Sequence, residues 1–187
     1  MSIKVFKFGG ASVKDADGYR NVGKILTKYK DEKIVIVVSA MGKTTNALEE
    51  VIKSYYANDG NTGNLLNQIK ESHFKLITEL FDAGRDVLDD INDTFVEIDW
   101  VLEETPHEDY DFTYDQIVSI GELLSSKILA HYLKSLKLNT SWMDVRDVII
   151  TDNTYRDARI QWDITQKNAV AKILPTLKTV NHIVTQG

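Results

Sequence analysis

Five consecutive residues, Ile34-Val-Ile-Val-Val38, are all apolar and β-branched. A half-buried strand would alternate apolar with polar residues, so this run reads as a strand covered on both faces. Such a strand needs packing layers on each side, and its flanks must supply them. Asp15 to Tyr29 places Tyr19, Val22, Ile25, Leu26 and Tyr29 three or four residues apart, the period of an amphipathic helix. Before it, Ile3 to Phe8 reads as a buried strand that ends at Gly9-Gly10. Strand, helix and strand with short connections make a βαβ unit and predict a parallel sheet.

The rest of the chain adds mostly helices. Ser39 to Thr45 is a loop, and Asn46-x-x-Glu49 has the spacing of a capping box ahead of a helix to about Tyr56. Asn58 to Gly63 is a turn cluster. Asn64 to about Glu104 is helical in period, with breaks expected near Ala83-Gly84 and Asn92-Asp93. Pro106 to Phe112 reads as a polar loop. Thr113-x-x-Gln116 then predicts the cap of a helix to about Leu136. Asn139 to Val145 and Val148 to Thr151 read as strands, Trp162 to Leu177 as a helix that Pro175 should end early, and His182 to Thr185 as a strand.

At 187 residues the chain is about one domain in size, with 43% hydrophobic and 27% charged residues, as expected of a folded globular protein. The formal charge of −6 and the lack of a basic stripe argue against nucleic acid as a partner. Having no cysteine excludes disulfides, thiolate metal sites and cysteine nucleophiles, and suits a reducing compartment. No apolar run approaches the ~18 residues of a membrane span. The start, MSIKVFKFGG, lacks the apolar stretch of a secretory signal and reads as the first strand of a cytoplasmic domain.

Three segments offer chemistry. Lys7-Phe-Gly-Gly10 follows the first strand, where ligands bind in open parallel sheets. Paired glycines admit backbone amides close to a phosphate and Lys7 supplies charge, although two glycines after a strand also suit a plain turn. Neither the Walker A nor the G-x-G-x-x-G pattern is present. Ser39 to Asn46 follows the second strand and leads into a helix N-terminus, which favours an anion; Ser39, Thr44 and Thr45 add hydroxyls and Lys43 a charge. The same residues would also serve simply to cap the helix. In Ser119-Ile-Gly-Glu122, Gly121 costs a helix ~1 kcal/mol against Ala, which points to a close approach. Glu122 sits among apolar neighbours, where a carboxylate can grip an ammonium group or simply face solvent. Asp144, Arg146, Arg156 and Arg159 fit structural ion pairs, and Asp86, Asp89, Asp90 and Asp93 fit a solvated helix face. His73, His107, His131 and His182 show no metal-ligand spacing.

Taken in order, Lys7-Phe-Gly-Gly-Ala-Ser-Val13, Val38-Ser-Ala-Met-Gly-Lys-Thr-Thr-Asn46 and Ser119-Ile-Gly-Glu122 closely resemble the motifs of the aspartate kinase family, a branch of the amino acid kinases. Asp144-Val-Arg146 and Ile183-Val-Thr-Gln-Gly187 fit the same pattern, and the resemblance covers essentially the whole chain. The family's first motif usually has Thr where Ala11 stands. The resemblance implies an α/β fold, a three-layer α/β/α sandwich with a mostly parallel sheet, here truncated at its C-terminal end. Residues 1–187 would be the N-terminal portion of the catalytic domain, without a regulatory domain.

The implied reaction is phosphorylation of the L-aspartate β-carboxylate by ATP with Mg2+. Its product, 4-phospho-L-aspartate, opens the route to lysine, threonine and methionine. By the same resemblance, Lys7, Gly9, Gly10, Ser12 and Ser39 belong to the ATP phosphate site, with Lys7 catalytic. Thr45 and Glu122 would hold aspartate, Glu122 at its α-ammonium. No nucleic acid or membrane partner is implied, and the chain is expected to form a homo-oligomer or to associate through an open sheet edge. Because the family's site draws on a second half, the chain alone is expected to be inactive or barely active. The alternatives are a non-catalytic binding or interaction module on half of the fold, or a related kinase acting on another carboxylate.

Overall fold

A computed structural model describes residues 2–187. Four strands, β1 (Ile3–Phe8), β2 (Lys33–Val38), β3 (Thr140–Trp142) and β4 (His182–Gln186), form one sheet in the order β1-β2-β4-β3, and every pairing is parallel. Between them lie α1 (Ala16–Thr27), α2 (Thr44–Ala57), α3 (Thr62–Leu80), α4 (Arg85–Glu103), α5 (Tyr110–Val118), α6 (Ile120–Ser135) and α7 (Trp162–Thr179).

The two faces of the sheet are covered unequally. Ile34, Ile36, Val38 and Val184 face the main core with Tyr19 and Leu26 of α1, Leu48 and Ile52 of α2, and Leu124 and Ile128 of α6. On the opposite face Val35 and Ile183 pack on Leu177 and Ile173 of α7. The sheet is thus sandwiched between helical layers, but α7 reaches β4 and leaves β1 largely bare. β1 is therefore not the buried strand expected: Val5, level with Val35 in the register, is 66% exposed because no helix among the described residues covers that face of β1.

Several boundaries differ from the sequence reading, each for a local reason. Helix α2 begins at Thr44, so Asn46 lies inside it and caps nothing. Helix α4 runs unbroken through Asn92-Asp93, because Ile91, Thr94, Phe95 and Ile98 are buried along one face. Asp109, the fourth residue of the expected loop, caps α5 by accepting from the amides of Asp111 and Phe112. Thr113 is therefore mid-helix, and its hydroxyl meets that of Tyr56 at 2.8 Å. The expected long helix divides at Ser119. The strand after Asn139 is only three residues long, and Val145–Asp147 is a 3-10 turn. Residues 148–151 form no strand; Thr151 makes a single antiparallel bridge to Ile160. Pro175 does not end α7, which continues to Thr179; so near the helix end it removes one backbone hydrogen bond.

The acidic stretch of α4 is also not all solvated. Asp90 accepts from Lys127 Nζ and His131 Nε2, both at 2.8 Å, and so ties α4 to α6. Burial pushes its carboxyl up, but the hydrogen bonds from Lys127 and His131 outweigh this and hold it below the usual carboxylate range. Replacing Asp90 by Asn should destabilise the chain by about 1–2 kcal/mol at pH 7, since Lys127 loses its partner. A lowered folded-state pKa contributes stability above the unfolded value and loses it as pH falls, so urea melts should show the difference shrinking below about pH 4.

Candidate active site

In the register of the sheet, Phe8 stands beside Val38 and Val38 beside Gln186. The loops that leave β1, β2 and β4 therefore emerge side by side at the carboxyl edge, the ligand-binding edge of such sheets. Backbone hydrogen bonds lace them together: Ser39 N–H donates to Phe8 O at 3.0 Å, Gly42 N–H to Gly10 O at 3.1 Å, and Gly187 N–H to Val38 O at 3.1 Å. Gly10 is required by this lacing, because a Cβ there would come 2.6 Å from the Ala40 carbonyl oxygen and 3.1 Å from that of Gly42. Gly42 itself sits at φ +54°, in the left-handed region that glycine tolerates best.

Helix α6 closes the crevice through its first turn. Gly121 is buried against the loop after β2: a Cβ there would lie 3.2 Å from both Ala40 Cβ and Thr44 Cγ2. The close approach expected from the helix-interior glycine is thus a packing contact with the second motif. The next residue, Glu122, is half-buried. Burial pushes its carboxyl up to about 7, although the Lys7 cation and the Ala40 backbone amide both favour the charged form. Glu122 is therefore a carboxylate short of solvation and close to a lysine, not a solvated surface acid.

Lys7, next to last in β1, has an exposed side chain, and its Cε would lie 4.0 Å from a Cβ on Gly187, so its stem passes beside the end of β4. Gly9 has open space on its Cβ side. Ser12 is exposed in the 3-10 turn Gly10–Val13, and Ser39 is half-buried. The two neighbouring threonines differ. Thr44 is buried and its hydroxyl donates to Met41 O at 2.7 Å, whereas Thr45 is half-buried, in the first turn of α2. Among the described residues the start of α2 has no side-chain cap. Lys7, Gly9, Gly10, Ser12, Ser39, Thr45 and Glu122 are thus carried on loops and helix ends that meet at one edge of the sheet.

Other residues singled out in the sequence are engaged in structural contacts. Ser119 sits at the junction of α5 and α6, and its carbonyl accepts from the amides of Glu122 and Leu123. Asp144 and Arg146 form the expected structural ion pair, at 2.7 Å, and Asp144 also accepts from Gln186. Arg156 pairs with Asp111 and stacks on the Tyr114 ring. Sequence reasoning missed Ser125, which is fully buried and donates to Ser39 O at 2.7 Å. Its spacing was the available signal: Ser125 lies three residues after Glu122 and four after Gly121, on the same helix face.

No group of three His, Cys, Asp or Glu side chains suited to a metal ion exists among the described residues. The donor set of the crevice, a lysine, hydroxyls and backbone amides, suits phosphate oxygens. It fits Mg2+ only as a companion of those phosphates, since Mg2+ in kinases is held mainly by phosphate and water with few carboxylates. No helix among the described residues is long and apolar enough to cross a membrane.

The crevice at the carboxyl edge of the parallel sheet is laced by glycines and carries a lysine near a half-buried carboxylate. The amino acid kinase family model matches residues 2–183, and the chain belongs to that family. Within it the chain is similar to aspartokinases. It is 33% identical over 158 residues to aspartokinase 1, chloroplastic, of Arabidopsis thaliana, covering 80% of this chain and 27% of that protein. It is 29% identical over 156 residues to the bifunctional aspartokinase/homoserine dehydrogenase 2, chloroplastic, of the same plant, with 80% and 17% covered. Among solved structures, E. coli aspartokinase III in complex with aspartate and ADP superposes with a TM-score of 0.88 at 26% identity over 100% of this chain and 40% of that one. The chain thus spans well under half the length of these relatives.

Proposed function

We propose that this crevice serves an aspartate kinase: it brings the β-carboxylate of L-aspartate up to the γ-phosphate of Mg-ATP. The observation that carries the reading is Glu122, a half-buried carboxylate near Lys7 on an edge that also presents amides and hydroxyls. The resemblance to a structure holding aspartate and ADP supports it. A carboxylate with a reference pKa near 3.9 is already ionised at pH 7, so the nucleophile needs no general base. The difficulty is the approach of one anion to another. Lys7, the amides around Gly9 and Gly10, and the hydroxyls of Ser12 and Ser39 supply the offsetting donors. Glu122 and Thr45 hold the amino acid, Glu122 at the ammonium, which turns the carboxylate outward toward the phosphate. A carboxylate oxygen forms the new P–O bond, the bond to the ADP oxygen breaks, and its electron pair leaves with ADP. Magnesium, carried on the phosphates, would supply further neutralisation of charge.

In this reading residues 1–187 correspond to the N-terminal part of a catalytic domain that works on dissolved metabolites in the cytoplasm. The bare sheet over β1 supports association with a further layer of protein, from the same chain or another copy. Hydroxylamine trapping tests the reaction, since it converts an acyl phosphate into a hydroxamate. Aspartyl hydroxamate should form only with L-aspartate and Mg-ATP together. If the chain alone gives none, calorimetric titration with L-aspartate and with Mg-ADP is the second test; binding of neither would defeat the reading.

A further inference from the structure

We infer that Ser125 is a positioning residue that sets the loop after β2 for its role in the crevice. The inference deepens the reading of that crevice as the substrate site, although the geometry behind it stands apart from any ligand. Ser125 is fully buried on α6, and its hydroxyl donates to Ser39 O at 2.7 Å and lies 3.2 Å from Glu122 O. Its own carbonyl accepts from the buried hydroxyl of Tyr19 at 3.2 Å, which braces this turn of α6 against α1. The peptide that joins Ser39 to Ala40 has its carbonyl held by Ser125, and its N–H, on Ala40, is the backbone amide that favours the charged form of Glu122. A planar peptide fixes the direction of its N–H once its carbonyl is fixed. Ser125 thereby sets the direction of the Ala40 amide, and it also fixes the residue whose hydroxyl the reading assigns to phosphate.

Ser126 provides an internal comparison. It is buried to the same degree on the same helix, but its hydroxyl donates to Leu123 O and accepts from the Trp142 indole, away from the crevice. The experiment is amide hydrogen exchange by NMR on the chain itself, unsubstituted and with Ser125→Ala or Ser126→Ala. Losing one buried hydrogen bond should speed exchange at Ala40 and Gly42 by up to about tenfold in Ser125→Ala. Amides in the middle of α6 and β2 should keep their rates relative to each variant's global stability. Ser126→Ala should leave the Ala40 and Gly42 rates unchanged after the same correction. Equal acceleration of the loop in both variants, or none in Ser125→Ala, would overturn the inference. The comparison needs no ligand, so it decides the role of Ser125 whatever the aspartate titration shows about the site.

Discussion

Glu122→Gln is expected to make the chain more stable at pH 8 and to weaken L-aspartate binding at least tenfold. Burial displaces this carboxyl from the ordinary 4.5 to about 7, so the folded state holds a proton that the unfolded state has released. For an acid raised in this way, stability falls as pH rises from about 4.5 to 7, and the whole cost is present above 7. The displacement alone sets an upper limit of about 3 kcal/mol, and screening by the solvent that reaches this half-exposed group reduces it to roughly 1–2 kcal/mol. Urea melts of Glu122→Gln and the unsubstituted chain should therefore coincide near pH 4 and separate above pH 7, with the variant more stable. Melts that stay parallel across this range would contradict the burial argument. A substrate ammonium would offset what burial costs, which is how a destabilising carboxylate becomes a binding group. Calorimetry should show L-aspartate affinity rising with pH through 7 in the unsubstituted chain, and a loss of ten- to a hundredfold on Glu122→Gln.

Gly10→Ala should be the most damaging single methyl in the crevice. Its Cβ would meet the carbonyl oxygens of Ala40 and Gly42, in a loop that Ser39 and Gly42 tie by hydrogen bonds to Phe8 and Gly10. No flexible side chain can move aside, so the loops after β1 and β2 must separate. Overpacking of this kind costs about 1–3 kcal/mol. The Gly42 to Gly10 hydrogen bond should be lost with it, along with most Mg-ADP binding. Gly9→Ala is the control: its Cβ would meet nothing within 4 Å, and stability should hardly change. Thermal melts with and without Mg-ADP read both effects; equal behaviour of the two variants would argue against the lacing as the basis of the phosphate site.

What could be read from the chain and what could not divide along physical lines. β2 was legible because an apolar β-branched run admits few other structures, and β1 and β4 because short runs holding Ile and Val lead into glycines. The motif residues were legible because they follow those strands. Helix starts were harder. Thr113-x-x-Gln116 and Asn46-x-x-Glu49 have capping spacing, yet Asp109 and the uncapped turn at Lys43 begin the helices, since tertiary packing fixes where the chain enters. Asn92-Asp93 looks like a breaker only until Ile91, Phe95 and Ile98 are seen buried on one stripe. Asp90 looked solvated because its partners, Lys127 and His131, lie about forty residues away on another helix. The raised pKa of Glu122 likewise depends on its burial in the assembled crevice, which no spacing along α6 reveals.

The pairing of β2 with β4 fixes an order of events during synthesis. Ile34 waits for His182, and Val38 for Gln186, almost the full length of the chain. At 5–20 residues per second, β2 spends roughly 10–30 s with one side unpaired. Through that interval Ile34 and Ile36 offer an apolar edge to any neighbouring strand, the kind of edge that aggregation uses. The hydrogen bond from Gly187 to Val38, at the rim of the crevice, can form only when the last residue described here has emerged. The motifs at positions 7–12 and 39–45 are made early, yet the edge they share can be organised only once β4 has been made. For a nascent chain, closure of the crevice marks the arrival of β4.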